Sequence, residues 1–173
     1  AGSAARLLLR RVAPDAAWAA ALYLPDALVL HLERHDPRRA LSADNVDEFA
    51  TLVEEIDHLV TFAERSTAGA DVSLLELEWH AAISKYLTLT HFAARLAGAS
   101  QVGEPVRAFI EHRVFHAGEF CDPDPDVRVR YREAHRLGLL FVRRLRDQAI
   151  AERVTALRRF HRASAREKLE HYG

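Results

Sequence analysis

Glu76 and His80 stand four residues apart in the stretch LLELEWHAAIS. On a helix that spacing puts both side chains on one surface. At about 100° per residue, Val72, Leu75, Trp79, Ile83 and Tyr86 form the apolar side of such a helix. Glu76 falls beside that arc and His80 at its edge, whereas Glu78 points outward. His135 lies at the edge of a second stripe, Val127, Tyr131, Ala134, Gly138, Val142 and Leu145. His161 continues a third line, Ile150, Val154 and Leu157. Leaving one buried polar group without a partner costs about 1–3 kcal/mol, so four such groups call for a shared one. Three imidazoles and a carboxylate suit a divalent transition metal (Zn²⁺, Ni²⁺, Mn²⁺ or Fe²⁺) with room for water or a ligand carboxylate. Each residue alone also reads as an ordinary hydrogen-bonded core group. The arrival of histidines from three helices is what favours the metal.

The elements that must position these groups are helical by periodicity. The sequence predicts helices at about 4–12, 15–35, 44–66, 72–87, 89–99, 104–119, 127–146 and 148–170. Pro25 either kinks the second or restarts it, Asp44 caps the third, and Asp126 caps the one at 127–146. Val46, Phe49, Val53, Ile56, Val60 and Ala63 share one face of the helix at 44–66. Arg113 lies within the apolar face formed by Val106, Phe109, Ile110, Ala117 and Phe120, where it either holds a ligand carboxylate or extends its head to solvent. His31, His35, His58, His91 and His171 have no evident partner in the sequence. The expected fold is all-α, an antiparallel bundle of six or more helices in a single domain over residues 1–173.

Composition narrows the function. Of the 173 residues, 49% are hydrophobic, enough for a substantial core, and no apolar run reaches the roughly 18 residues that a membrane helix needs. A net charge of −1 without a basic run gives no reason to expect nucleic-acid binding by these residues. The single cysteine, Cys121, excludes an internal disulfide and suits a cytoplasmic protein. The chain has no methionine and opens Ala1-Gly2-Ser3, which reads as a fragment of something longer. Lys85 and Lys168 are the only lysines, an imbalance that reads as source composition.

The order of these motifs resembles the effector-binding (FCD) domain of GntR-family transcription regulators of the FadR type. It is carried by Glu76-Leu-Glu-Trp79-His80 followed by AAIS, by YREAHRLG with His135, and by LRRFHRAS with His161. The LERHDPRRA and FCDPDPD connections add to it. The chain departs from the pattern in having Glu76 where the family has Asp, a longer spacing from His135 to His161, and no Asn after the small-residue stretch. The resemblance implies a bundle around a central ligand cavity and a homodimer. It implies a non-enzymatic sensor in which Glu76, His80, His135 and His161 hold the metal. A small carboxylate effector is then contacted by Arg113, Trp79 and Tyr131. DNA would be reached only through a winged-helix domain, and no strand-turn-strand wing is expected in the first 40 residues. A metal-free acyl-CoA sensor, a helical metalloenzyme and a structural adaptor are the competing readings.

Overall fold

The computed structural model describes residues 4–12, 18–116 and 123–173. Among the described residues, two strands, β1 (Arg6–Arg11) and β2 (Trp18–Tyr23), precede seven helices. The strands pair antiparallel from Arg6 opposite Tyr23 to Arg11 opposite Trp18. This overturns the helix expected at about 4–12 and the first part of the one expected at about 15–35, and with them the expectation that the first 40 residues hold no paired strands. Helix propensity separates Leu and Ala from strand formers by only tenths of a kcal/mol, and tertiary contact decides. Here the Trp18 ring meets Phe62 edge-on at 5.5 Å. The Arg11 guanidinium lies 5.0 Å over Trp18 and Arg6 lies 5.8 Å over Tyr23, closing both ends of the hairpin.

Pro25 starts α1 (Asp26–Arg34) rather than kinking a longer helix. Asn45, not Asp44, stands at the entry of α2 (Val46–Thr67). Its amide donates to the carbonyls of His35 and Ala40, both at 2.8 Å, and its oxygen accepts from the Ser42 amide. The polar loop is thereby stitched to the helix start. One helix, α3 (Leu74–Leu96), replaces the two expected over 72–99. Thr90 is tolerated inside it because its hydroxyl donates to the Tyr86 carbonyl at 2.8 Å. Gly98, at a φ of 63°, ends it in a left-handed turn, and the Ala99 amide reaches back to Ala94.

Helix α4 (Glu104–Phe115) is followed by α5 (Pro125–Arg146), which Asp124 caps with Pro125 in its first turn. Ala117, Phe120 and Cys121 lie outside the described residues. The single last helix expected over 148–170 is broken into α6 (Ile150–Arg162) and α7 (Ala165–Tyr172). The break is local chemistry. Ser164 and Glu167 form a reciprocal capping box that starts a new helix.

Helix α3 is central, packed against α2, α4 and α5. It is buried on all sides over its first half. Gly138 lets α5 approach it, since a Cβ there would stand 3.3 Å from the Ala82 Cβ and 3.0 Å from the Phe115 ring. Trp79, Phe141, Phe160 and Tyr172 fill the centre as one aromatic cluster, with Phe141 and Phe160 centroids 4.5 Å apart. The apolar face expected on α2 holds only in its first turns. Val46 and Phe49 are buried, but Ile56 and Val60 are exposed, and the central part of the helix turns Glu54, Asp57 and His58 inward. No helix among the described residues is long and apolar enough to cross a membrane.

Candidate functional site

Two polar clusters interrupt this core. The first is built on Glu76, which Ser73 and the start of α3 place one turn before His80. Glu76 is 2% exposed, His80 5% and Lys168 0%. The Lys168 ammonium donates to Glu76 Oε1, and at 2.7 Å to His80 Nε2. Arg65 donates to the same Glu76 oxygen at 2.7 Å. It also holds the carbonyls of His161 and Ala163, clasping the α6–α7 junction. Lys168 further lies 5.0 Å over the Phe160 ring. Burial lowers the Lys168 pKa to about 8, with Glu76 opposing the shift. Burial, then Lys168, His161 and Arg65, lower His80 to about 2, so at neutral pH it is the neutral acceptor for the ammonium.

Of the four residues expected to bind a metal, Glu76, His80 and His161 come together and His135 does not. The His80 and His161 rings are 5.5 Å apart, but His161 Nε2 pairs with Glu64 at the surface. His135 packs against Phe115 and Tyr131, and burial with Lys85 nearby lowers it to about 4. The position between Glu76 and His80 is filled by the Lys168 ammonium. The set therefore does not fit a metal ion, because a charged group of the chain already occupies its place.

The expected effector contacts are also dispersed. The Arg113 guanidinium pairs with Asp47 in the first turn of α2 and stacks on Phe109. Trp79, 2% exposed, packs on Phe160 within the core. Tyr131 hydrogen-bonds Glu78, and burial followed by that carboxylate raises its pKa.

Glu78 belongs to the second cluster and is 8% exposed, which corrects its expected outward position. His58 Nε2 stands 3.6 Å from Glu78, and His58 Nδ1 stands 3.8 Å from Glu55. Lys85 donates to Glu54 at 2.9 Å. Burial alone would lower His58, but Glu55, Glu78 and Glu54 more than offset it and raise its pKa to about 10. Burial alone would raise Glu54, yet Lys85 holds it below the ordinary value. Donor atoms of Glu54, His58 and Glu78 all lie within 4.8 Å of one another, so these three could hold a metal.

The sequence contained signals for both clusters. Glu54 and His58 repeat the four-residue spacing of Glu76 and His80. Both lysines of an arginine-rich chain are buried counter-ions, Lys85 at 8% exposure and Lys168 at 0%. An ammonium is a compact point charge that fits between a carboxylate and an imidazole, where a planar guanidinium needs a wider slot.

A pocket of about 390 Å³ opens beside the first cluster, between α2, α3 and α6. His80, His161, Asp57, Arg158 and Arg162 supply its polar lining. Asp57 accepts from Ser84 at 2.5 Å, and burial raises its pKa. Comparison of the chain with protein-family models, curated proteins and solved structures found no match.

Proposed function

We propose that the chain is a ligand-sensing helical domain whose effector is a small organic acid bound in the pocket between α2, α3 and α6. The observation that carries this reading is the positive excess at that pocket. Arg65 and Lys168 face a single buried carboxylate, Glu76, and two further guanidiniums, Arg158 and Arg162, line the pocket together with Asp57. His80 links the two, since it lines the pocket and accepts from Lys168. An entering carboxylate pairs with the arginines and competes with Glu76 for the ammonium. Helix α7 is held by Lys168 and by Tyr172, whose ring meets Phe141 edge-on at 5.0 Å. Loosening Lys168 therefore shifts the docking of α7, and the effector acts only by favouring one docking over the other. In the regulator architecture that the motif order resembles, such a shift reaches DNA through an attached winged helix in a homodimer.

An acyl-CoA reading draws on a different feature. An apolar groove of about 400 Å³ runs between α1, α2 and α3, lined by Leu28, Leu32, Phe49, Leu52 and Phe92. Its one lining arginine, Arg38, is already paired with Asp36 at 2.8 Å, so the polar pocket is the stronger site.

The test is thermal and chemical denaturation against a panel of mono-, di- and tricarboxylic acids and their amides. An effector at a hundred times its dissociation constant stabilises the fold by about 2.7 kcal/mol. Stabilisation by an acid, absent for its amide and lost in Arg158→Gln with Arg162→Gln, is the expected result. Equal stabilisation by acid and amide, or by no acid at all, overturns the reading.

A further inference from the structure

We propose that Glu54, His58 and Glu78 form a binding site for one divalent transition metal ion, separate from the pocket that takes the acid. Glu54 and His58 occupy consecutive turns of α2, and Glu78 faces them from α3. Two donors held at about 2.0–2.2 Å from a tetrahedral metal sit roughly 3.4 Å apart. His58 Nε2 and Glu78 Oε2 already stand 3.6 Å apart, too far to hydrogen-bond and close to that edge length. The third donor, on Glu54, is within 4.8 Å of both and closes by side-chain rotation.

Two further observations suit the site to a cation. The buried Nε2 of His58 and the buried Oε2 of Glu55 make no hydrogen bond. Among the described residues, the ion pairs of Glu54, Glu55 and Glu78 are with Lys85 and His58, and a metal bound by His58 displaces its proton. A second layer is also present. Tyr131 hydrogen-bonds Glu78 and so orients it, as partners of metal-ligating carboxylates commonly do. One imidazole with two carboxylates is a mixed nitrogen and oxygen set, which suits Zn²⁺, Mn²⁺ or Fe²⁺ over softer ions. Three protein donors leave at least one coordination position for water. Lys85, now paired with Glu54, competes with the metal for that carboxylate.

The experiment titrates the full chain, freed of metal by chelator, with Zn²⁺ and Mn²⁺ by calorimetry. Binding of one equivalent is expected for the wild type, at least tenfold weaker in His58→Gln and unchanged in His161→Gln. Tyr131→Phe should weaken it about 10–100-fold, the usual effect of removing an outer partner. Lys85→Met should tighten it, a direction that damage to the fold would not produce. X-ray absorption of the wild-type Zn²⁺ complex decides the matter even if His58→Gln does not fold. One imidazole per metal supports the site. Two or three place the metal at His80 and His161 instead, and with no stoichiometric binding the proposal fails. None of these readouts depends on a carboxylic acid, so the two proposals stand or fall separately.

Discussion

Glu76 and Glu78 are two residues apart on α3 and both are buried, yet their surroundings are opposite in charge. Glu76 meets Arg65 and Lys168, two cations for one carboxylate. Glu78 shares its surroundings with Glu54 and Glu55, three carboxylates against Lys85 and His58. The helix can hold both because it is buried on opposite sides, and residues two apart point about 200° away from each other. One cluster is closed by an ammonium of the chain itself and presents a positive margin to a pocket. The other is left electron-rich. A buried ion pair is a stable arrangement only when its charges are matched, so the mismatch in each cluster tells which kind of ligand it can accept.

The comparison breaks most visibly at the lysines and the two glutamates. Lys168→Met leaves Glu76 with Arg65 alone and buried His80 without its donor, and should cost about 3 kcal/mol in urea denaturation. Lys85→Met should cost about 1.5–3 kcal/mol, because Glu54 is 19% exposed and water replaces part of the lost pairing. Glu76→Gln leaves two buried cations with no carboxylate and should cost about 3 kcal/mol. Glu78→Gln removes one charge from an excess of like charges and should change stability by less than about 1 kcal/mol. Equal losses for the two glutamates would remove the distinction between the clusters.

Stability against pH separates them next. His58, raised to about 10, gives the folded state an advantage that is complete below the ordinary value of 6.5 and is lost as pH rises towards 10. Lys168 acts in the opposite sense. Its folded pKa of about 8 lies below the ordinary 10.5, so the unfolded chain holds that proton longer and stability recovers in part between the two values. His135, lowered to about 4, and His80, lowered to about 2, stabilise the fold fully above pH 6.5 and progressively less as pH falls below it. Denaturation midpoints across pH 4–10 should therefore fall at both ends, and His58→Gln should flatten only the alkaline side. A flat alkaline limb in the wild type would show that the carboxylates do not hold a proton on His58.

The smallest effect is expected at Arg113. Its pairing with Asp47 is a partly exposed ion pair, so Arg113→Ala should cost about 0.2–1 kcal/mol and leave stabilisation by carboxylic acids intact. Loss of that stabilisation would return Arg113 to the effector site.

The inward turn of Glu76 and His80 was legible because it rests on helical spacing within one uninterrupted segment. The inward turn of His58 and Glu78 was not. Read alone, α2 shows its clearest apolar face through Ile56 and Val60, and the structure leaves both exposed while burying the polar face opposite. Glu78 reads as outward only if α3 has an outside, and over its first half it has none. The lysine count held usable information, because rarity of one cation type made its two positions worth comparing.

The sequence by itself determined most of the helices and the proline and glycine stops between them. These depend on interactions within a few residues. It could not determine the hairpin, where Leu- and Ala-rich segments take strand form through pairing with each other and with Phe62. Nor could it determine which cation meets Glu76. Lys168 is 92 residues away and reaches the carboxylate only because α7 breaks from α6 and folds back. Local rules place a charge on a face of its own helix, whereas its counter-ion is chosen by whichever elements pack there, and that choice belongs to the tertiary structure.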